Sequence, residues 1–540
     1  MHEGGTVAQH TAAPVTDGDE PAGAGLVLAT LIVVAAVANL PLAMANVALP
    51  TIGAAFDASQ TQLNLVAVGY SLGLACSVLW LGAIGDRYGR KRLCVLGVVV
   101  AMPAAVIAGL APSIEVLIGA RLLGGFAAGM AYPTTLSLIA ALWAAGPGRT
   151  RAIALWAAAG AAISVSGPLL SGLLLEALSW PSVFLVVLPL AVVALVMSLR
   201  YIPAHVHESS EEVDNLGGVL SVVLVGAAVL AINFMPVADE RSLALGLLVV
   251  ALVAGVLFVR RQFRVANPLY DFAYAARPTF WVAAVAGIIV FGALMGAMFI
   301  GQQYLQNVLG YSTLDAGFAV IPAGLAMLVV APRSARLVEA RGSRDTLLLG
   351  YAFVLAGFVT MLVLWQEGAN GFVVAIGYLF VGIGVGFAGT PASRSLTGSV
   401  PVTRVGMASG TADLQRDLGG AIFNSLFGAI LAAGYGAAVA AAIAASGSTG
   451  AIPTGVTNEL QMSFAGAQAV AAQYPQYADQ IIAAARESFL AGDQNAYIAG
   501  IVSVLVGAAL VAFVFPRHDR EVALLSEYHD QDSAAEAPAV

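Results

Sequence analysis

The chain has 540 residues, of which 59% are hydrophobic and 10% are charged, with a mean hydropathy of +0.88. Soluble globular chains average about 25% charged residues, so most of this chain must face lipid or other membrane helices. The net charge of −8, from 31 acidic and 23 basic residues, leaves no basic surface for nucleic acid.

The first 23 residues contain no Lys or Arg and include Asp17, Asp19 and Glu20. They therefore lack the positive region that begins a signal peptide. We predict a disordered cytoplasmic tail over 1–23.

Apolar segments then dominate the chain, and a helix of about 20 apolar residues crosses a hydrocarbon core of about 30 Å. Fourteen such segments are predicted, near 26–48, 63–84, 93–112, 116–141, 152–175, 181–200, 216–236, 242–260, 279–302, 314–334, 346–366, 371–392, 405–434 and 495–515. Gly and Pro are tolerated inside membrane helices, so the boundaries are soft and the range is twelve to fourteen spans.

The distribution of Lys and Arg predicts the orientation, because positive residues are retained on the cytoplasmic side. With both termini inside, 19 of the 23 fall in cytoplasmic segments. One connection, 435–494, is long and contains apolar positions over 477–490 that suggest an amphipathic helix or hairpin outside the membrane. It is interpreted either as a surface loop or as a gate over the external mouth.

A short sequence motif occurs twice in the chain. The segment after span 2 carries Gly82, Asp86, Arg87, Gly89 and Arg90. A weaker echo follows span 10, where Glu339 matches Asp86 and Gly342 matches Gly89 at one offset of 253 residues. An offset of eight helices fits two six-helix halves with an extra pair between them, as in transporters built from repeats.

Ionisable residues inside membrane helices usually mark pathways or relays. The clearest are Arg121 on span 4 and Asp413, Arg416 and Asp417 on span 13, whose spacing places the last three on one helix face. Asp413 lies about 12 Å along its helix from Val405, close to the midplane. A carboxylate there can exchange a proton or receive a cation, so the two would compete. The alternative is a static ion pair that only ties helices together.

Further segments complete a family pattern. They are Arg121 to Gly125 on span 4, Gly167-Pro168 to Gly172 on span 5, Asn46 to Pro50, Tyr304 to Ser312, and Ala408 to Gly420. With the segment from Gly82, they resemble motifs A, B and C of the major facilitator superfamily and its fourteen-helix drug:proton antiporters. The resemblance covers nearly the whole chain, and it is strongest to exporters of quaternary ammonium compounds and other lipophilic cations.

The resemblance implies an all-α polytopic membrane protein with the major facilitator fold. The implied divisions are a tail (1–23), a six-helix half (24–203), an inserted helix pair with flanking loops (204–278), a second six-helix half (279–516) containing the external loop 435–494, and a cytoplasmic tail (517–540).

The resemblance also implies a function, which is export of amphipathic, chiefly cationic, drugs in exchange for protons by alternating access. The implied protein is a plasma-membrane transporter and not an enzyme, and its partners are an amphipathic or lipid substrate, protons and membrane lipids. Proton coupling and substrate binding fall to Asp413, Asp417, Arg416 and Arg121. Conformational roles fall to the motif-A residues Gly82, Asp86, Arg87, Gly89 and Arg90 and to the motif-C pair Gly167 and Pro168.

Two positions depart from the family. Pro41 stands where these antiporters usually carry an acidic residue in span 1, and Gly124 stands where Gln is usual in motif B. An exporter of a lipid or hydrophobic metabolite with weak or no proton coupling is therefore an alternative. A non-transporting membrane receptor is a third interpretation, which the carboxylates at the midplane disfavour.

Neither a cofactor nor a metal site is predicted. The two cysteines, Cys76 and Cys94, exclude a cysteine-rich metal site. Lys91 is the only lysine and follows Arg90, so the chain has no phosphate-binding loop for ATP. Uphill work must therefore draw on an ion gradient or a partner.

Overall fold

The structure is a computed structural model. It describes residues 21, 23–56, 58, 60–144, 146–204, 212–235, 240–445 and 452–536. Every regular element among these residues is a helix, which confirms the predicted all-α fold. The predicted N-terminal tail lies outside the described residues except for positions 21 and 23.

The helices fall into two groups along the chain, which are joined by a set of connecting helices. The N-terminal group comprises α1 (Ala24–Phe56), α2 (Gln60–Tyr88), α3 (Arg90–Gly109), α4 (Ile114–Leu142), α5 (Pro147–Ala177), α6 (Ser182–Leu185) and α7 (Val187–Tyr201). The connecting helices are α8 (Asn215–Phe234), α9 (Arg241–Gln262) and α10 (Phe272–Ala275). The C-terminal group comprises α11 (Pro278–Asn307), α12 (Thr313–Ala319), α13 (Ile321–Leu364), α14 (Gly371–Gly398), α15 (Val405–Ala445), α16 (Thr454–Met462), α17 (Phe464–Gln473), α18 (Ala478–Val514) and α19 (His518–Glu536).

The helices account for the predicted membrane spans. Among the described residues, 12 helical stretches are long and apolar enough to cross a membrane. One of them, Leu314–Leu364, contains two helices, because Gly342 interrupts α13 with φ 85° and ψ 171°. Helix α5 is not among the 12, yet its 31 residues exceed the length of a span. Counting α5 and the second helix of α13 gives the fourteen spans predicted from the sequence.

The repeated glycines have the same backbone role. Gly89 has φ 110° and Gly342 has φ 85°. Glycine adopts these angles without the steric cost that a side chain would bring. Each glycine lies between one spanning helix and the next. The weak repeat in the sequence therefore corresponds to the same kind of turn in both halves.

The two groups meet through a few helices. Helices α2 and α4 pack against α15, and α5 packs against α13 and α14. The inserted helix α8 packs on the outer side of α2. Within the N-terminal group, α2 and α4 approach closely at Gly73, Gly125 and Gly129, where added Cβ atoms would overlap the opposite helix. Small residues at such contacts are typical of membrane helices.

We expect Gly125→Val to destabilise the protein strongly, because its Cβ would overlap the backbone carbonyl of Tyr70. Overpacking of a tight core typically costs about 1–3 kcal/mol, and here backbone atoms must move as well. Gly119→Val is the matched control on α4, since an added Cβ there meets nothing within 4 Å. Thermal unfolding in detergent measures both variants. Equal melting temperatures would contradict the tight α2–α4 contact.

The segment 435–494 is mostly helical where the structure describes it. Helix α15 continues to Ala445, and α18 begins at Ala478 and runs without a break into the last span. The Tyr435 hydroxyl donates a hydrogen bond to Leu460 O (2.9 Å) or to Ser463 O (3.1 Å). The amphipathic helix predicted over 477–490 is therefore the first part of α18, and this segment packs on the bundle through its helices.

The C-terminal segment 517–540 also contains a packed helix, α19. Arg277 donates two hydrogen bonds to Asp532, Nη1 to Oδ2 (3.1 Å) and Nη2 to Oδ1 (2.7 Å). Glu521 Oε2 accepts a hydrogen bond from Ser343 N (2.8 Å), at the turn that follows Gly342. Helix α19 is thus attached to the C-terminal group at two places.

Candidate functional site

Helix α15 carries the predicted acidic residues into the interface between the two groups. Asp413 is 2% exposed, and neither of its carboxylate oxygens has a hydrogen-bond partner among the described residues. Asp417, one turn further, has its Oδ2 buried with no partner in the same part of the chain. A buried ionised carboxylate without a partner is costly, so these groups are suited to hold a proton or a cationic ligand.

Arg416 bonds across the interface to the N-terminal group. Its Nη1 donates a hydrogen bond to the Tyr132 hydroxyl on α4, and its guanidinium lies 5.1 Å from the centre of the Tyr132 ring. Neither Asp413 nor Asp417 forms an ion pair with it among the described residues. The static ion pair considered from the sequence is therefore not present in this structure.

Tyr132 is held in place by its neighbours. Its ring stacks on Trp156 of α5 with centroids 5.3 Å apart and an interplanar angle of 27°. Trp156 Nε1 in turn donates a hydrogen bond to Thr135 Oγ1 (2.8 Å). The pair of rings and the unpaired carboxylate of Asp413 thus lie around Arg416. Cations bind favourably over such aromatic faces.

Arg121 occupies a separate position in the N-terminal group. It is 2% exposed and donates hydrogen bonds from Nε to Val66 O (3.1 Å) and from Nη1 to Pro41 O (2.9 Å). Its guanidinium also lies 4.7 Å from the centre of the Tyr70 ring. The backbone carbonyl of Pro41 therefore supplies an acceptor at the position where the family pattern has an acidic side chain.

Tyr70 lies between the positions of Arg121 and Asp417 in electrostatic terms, because both charges act on its phenol. The Tyr70 hydroxyl donates to Ala38 O (2.6 Å) and lies within electrostatic range of both charged residues. The four predicted residues thus lie at two separate positions in the structure. Asp413, Arg416 and Asp417 lie together on α15, and Arg121 lies on α4.

The motif-A residues connect the two groups at one end of the bundle. Asp86 Oδ1 accepts a hydrogen bond from Arg90 Nε (2.8 Å), and its Oδ2 accepts one from Gly406 N (2.8 Å) near the start of α15. Arg90 Nη2 donates further to Val402 O (2.7 Å). The carboxylate therefore lies at a helix N-terminus, where the helix dipole favours an anion. Arg87 is half-buried in the last turn of α2.

Two glycines allow this contact to close. A Cβ on Gly82 would lie 2.9 Å from Gly406 O, and one on Gly406 would overlap the Asp86 carboxylate. Larger side chains at either position would separate α2 from α15. The end of the bundle that carries motif A is consequently closed in this structure.

The motif-C pair lies on α5 where it packs against α1. An added Cβ on Gly167 would overlap the Ala43 side chain and lie 3.2 Å from the Ala43 backbone carbon. Helix α5 continues through Pro168, which removes one backbone hydrogen bond. Gly167 therefore permits a close helix contact beside a point where α5 can bend.

Sequence reasoning missed two features near these residues. Tyr132 belongs to none of the motifs, and Asp493 falls in the predicted external connection 435–494. Asp493 lies in α18 and is fully buried. Its spacing of four residues from Tyr497, just before an apolar span, is the signal that would have found it. Among the described residues, no group of three or more His, Cys, Asp or Glu could hold a metal ion.

Comparisons with known proteins place this architecture among transporters. A family profile described as Major Facilitator Superfamily matches residues 31–424. The multidrug efflux pump LfrA of Mycolicibacterium smegmatis is 33% identical over 506 residues, which cover 91% of this chain and 95% of that protein. The multidrug resistance protein Stp of Mycobacterium tuberculosis is 34% identical over 379 residues, which cover 70% of each chain.

Two solved structures share the fold at low sequence identity. The human organic anion transporter MFSD10 (TETRAN) has a TM-score of 0.58 and 14% identity, with 90% of this chain and 98% of that chain covered. The proton:xylose symporter XylE has a TM-score of 0.59 and 12% identity, with 91% and 96% covered. At these identities the likeness concerns the fold alone.

Proposed function

The chain belongs to the major facilitator superfamily and is a multi-pass membrane transporter, and from this premise we propose that it exports amphipathic cationic drugs in exchange for protons. Two relatives, a multidrug efflux pump and a multidrug resistance protein, support drug export. The proposed location is the plasma membrane with both termini in the cytoplasm, as the distribution of Lys and Arg favours.

One observation carries the proposal, namely the unpaired carboxylate of Asp413 between the two helix groups. A cation that enters the interface can pair with this carboxylate and stack near Tyr132 and Trp156, whose rings are already aligned. A proton on Asp413 removes the charge that attracts the cation. Proton and cation therefore exclude each other, which is sufficient for antiport.

Alternating access requires two packings of the groups, and the motif-A contact provides a bistable element. We propose the halves 24–203 and 279–516 as the moving units, with 204–278 accompanying the first half. The hydrogen bonds of Asp86 to Arg90 and Gly406 favour closure at the motif-A end. Opening that end breaks the Gly406 bond, while Gly167 and Pro168 allow α5 to adjust against α1.

A second candidate follows from Pro41. The carbonyl that accepts the Arg121 hydrogen bond belongs to a residue that cannot take up a proton. With one acidic group fewer than the family pattern, the chain would suit export of a lipid or hydrophobic metabolite with weak or no proton coupling. Such an exporter would move neutral amphiphiles without responding to a proton gradient.

Flux in proteoliposomes tests the proposal. The purified protein is reconstituted with a lipophilic dye cation, and dye movement is followed with an imposed proton gradient, without a gradient, and with a proton ionophore. Uphill dye movement that needs the gradient and stops with the ionophore is expected. Dye movement that ignores the gradient, together with transport of a neutral lipid analogue, would favour the second candidate.

We expect Tyr132→Phe to weaken cation binding about tenfold. The substitution keeps the ring that stacks on Trp156 but removes the acceptor for Arg416, which frees the guanidinium to pair with Asp413. A hydrogen bond to a charged group is worth about 1.5–3 kcal/mol, and 1.4 kcal/mol corresponds to a factor of ten in affinity.

Dye binding measured by fluorescence anisotropy checks this expectation. Tyr351→Phe is the matched control, because it removes a buried hydroxyl that donates to Ala286 O (2.9 Å) within the C-terminal group. Equal affinities of the two variants would show that the Tyr132 hydroxyl does not set the charge of the site.

A further inference from the structure

A second buried carboxylate lies in the last spanning helix. Asp493 on α18 has a relative exposure of 0%, and neither of its oxygens has a hydrogen-bond partner among the described residues. Tyr497, one turn along the same helix, is also fully buried, and its hydroxyl likewise has no partner. Neither residue belongs to the motifs that carry the proposed transport site.

Three phenol groups surround this carboxylate. Tyr304 of α11, Tyr378 of α14 and Tyr497 of α18 all lie within electrostatic range of Asp493. The Tyr304 hydroxyl donates to Gln366 O (2.8 Å), and the Tyr378 hydroxyl lies beside the Gln302 side chain. The site therefore contains four oxygen-bearing side chains, and the side-chain oxygens of Asp493 and Tyr497 have no hydrogen-bond partner among the described residues.

An aromatic cluster fixes these tyrosines. Trp365 is fully buried and lies against all three, with centroid distances of 5.0 Å to Tyr304, 5.2 Å to Tyr378 and 6.0 Å to Tyr497. Helix α15 approaches α18 closely next to Asp493, since a Cβ on Gly434 would lie 2.8 Å from the Cα of Gly492.

None of the ion pairs among the described residues involves Asp493. Titratable groups within electrostatic range of it are the phenols of Tyr304, Tyr378 and Tyr497, which are neutral at physiological pH. An ionised carboxylate there would have neither a hydrogen bond nor a counterion, and that arrangement costs several kcal/mol. The neutral acid avoids this cost.

We propose that Asp493 is a further proton-exchange site, which holds a proton in the state described here and releases it to water in another state of the transport cycle. On release, the O–H bond of the carboxylic acid breaks, both electrons remain on the carboxylate, and the proton passes to water. The site deepens the proposed antiport function and rests on it. It would supply a proton-carrying group to a chain that has Pro41 in place of the span-1 acid.

Infrared spectroscopy of the reconstituted protein tests the protonation without transport. At neutral pH, we expect the wild type to show a carboxylic-acid carbonyl band that shifts in D₂O and is absent from Asp493→Asn. Glu487→Gln is the control, because it removes an exposed acid from the same helix, and it should keep the band. A spectrum of Asp493→Asn equal to that of wild type, or a band that does not shift in D₂O, would overturn the proposal. Carboxylate bands that respond to Na⁺ or K⁺ would also overturn it, in favour of an inorganic cation.

A transport measurement tests the exchange role. We expect Asp493→Asn to continue to move the dye cation but with fewer protons exchanged per cation than wild type and Glu487→Gln. An unchanged ratio would refute that role. Absence of gradient-driven flux in the wild type would refute the proposed function instead, and the infrared comparison would still decide whether Asp493 exchanges a proton.

Discussion

Asp413→Asn is expected to abolish gradient-driven uphill transport of a lipophilic cation while leaving the protein folded. The amide has nearly the same shape as the carboxyl group, but it can neither release a proton nor carry a negative charge. A charge-assisted contact is worth about 1.5–3 kcal/mol, so we also expect cation affinity to fall about 10- to 100-fold. Both oxygens of Asp413 have no partner among the described residues, so the substitution breaks no ion pair that supports the fold.

The measurement combines dye flux in proteoliposomes with dye binding in detergent. Glu176→Gln is a suitable control, because it neutralises an exposed acid at the end of α5. Asp417→Asn provides a graded comparison, since only one of its oxygens is buried without a partner. Uphill flux that persists in Asp413→Asn, with wild-type dependence on the gradient, would exclude Asp413 as the coupling group.

Asp86→Ala is expected to shift the protein away from the state closed at the motif-A end. The substitution removes the acceptor for Gly406 N and breaks the ion pair of Asp86 with Arg90, which is 2% exposed. Breaking a buried ion pair costs about 3–5 kcal/mol. A shift of about 3 kcal/mol changes the ratio of the two states about 100-fold.

Thiol accessibility reports this shift. Ser137 is 3% exposed and lies beside Gly82, Arg90 and Gly406. In a background without Cys76 and Cys94, we expect Ser137→Cys to react with a water-soluble thiol reagent much faster when Asp86→Ala is present.

Two further variants make the accessibility test specific. Asp345→Asn is the control, because its side chain is 53% exposed and pairs with the neighbouring Arg344. Asp86→Asn should give an intermediate rate, since its amide oxygen can still accept the Gly406 hydrogen bond. Melting curves distinguish opening from unfolding, and equal reaction rates in all variants would contradict the closure role of Asp86.

Local sequence properties were sufficient for much of the architecture. Span length and apolar composition predicted the fourteen helices, because a bilayer requires a set length of apolar chain whatever its neighbours are. The repeat in the sequence identified Gly89 and Gly342 as equivalent positions, and both adopt positive φ. The long connection before the last span was harder, because α18 continues through the predicted boundary at 495.

The candidate site was only partly predictable. The spacing of Asp413, Arg416 and Asp417 predicted a shared helix face, since helical periodicity is local. A static ion pair of Arg416 with one aspartate was the alternative interpretation. In the structure, Arg416 instead bonds to Tyr132, a residue 284 positions away in the chain.

The sequence by itself determined the membrane fold, the number of spans, and the residue types that bring charge into the bilayer. Only the tertiary structure decided the partners, including Gly406 for Asp86, the Pro41 carbonyl for Arg121, and the three tyrosines around Asp493. The physical reason is that partners across helices depend on the rotation and crossing of helices packed against one another. A hydrophobic pattern specifies which segments cross the membrane, but it does not specify which faces of two distant segments meet.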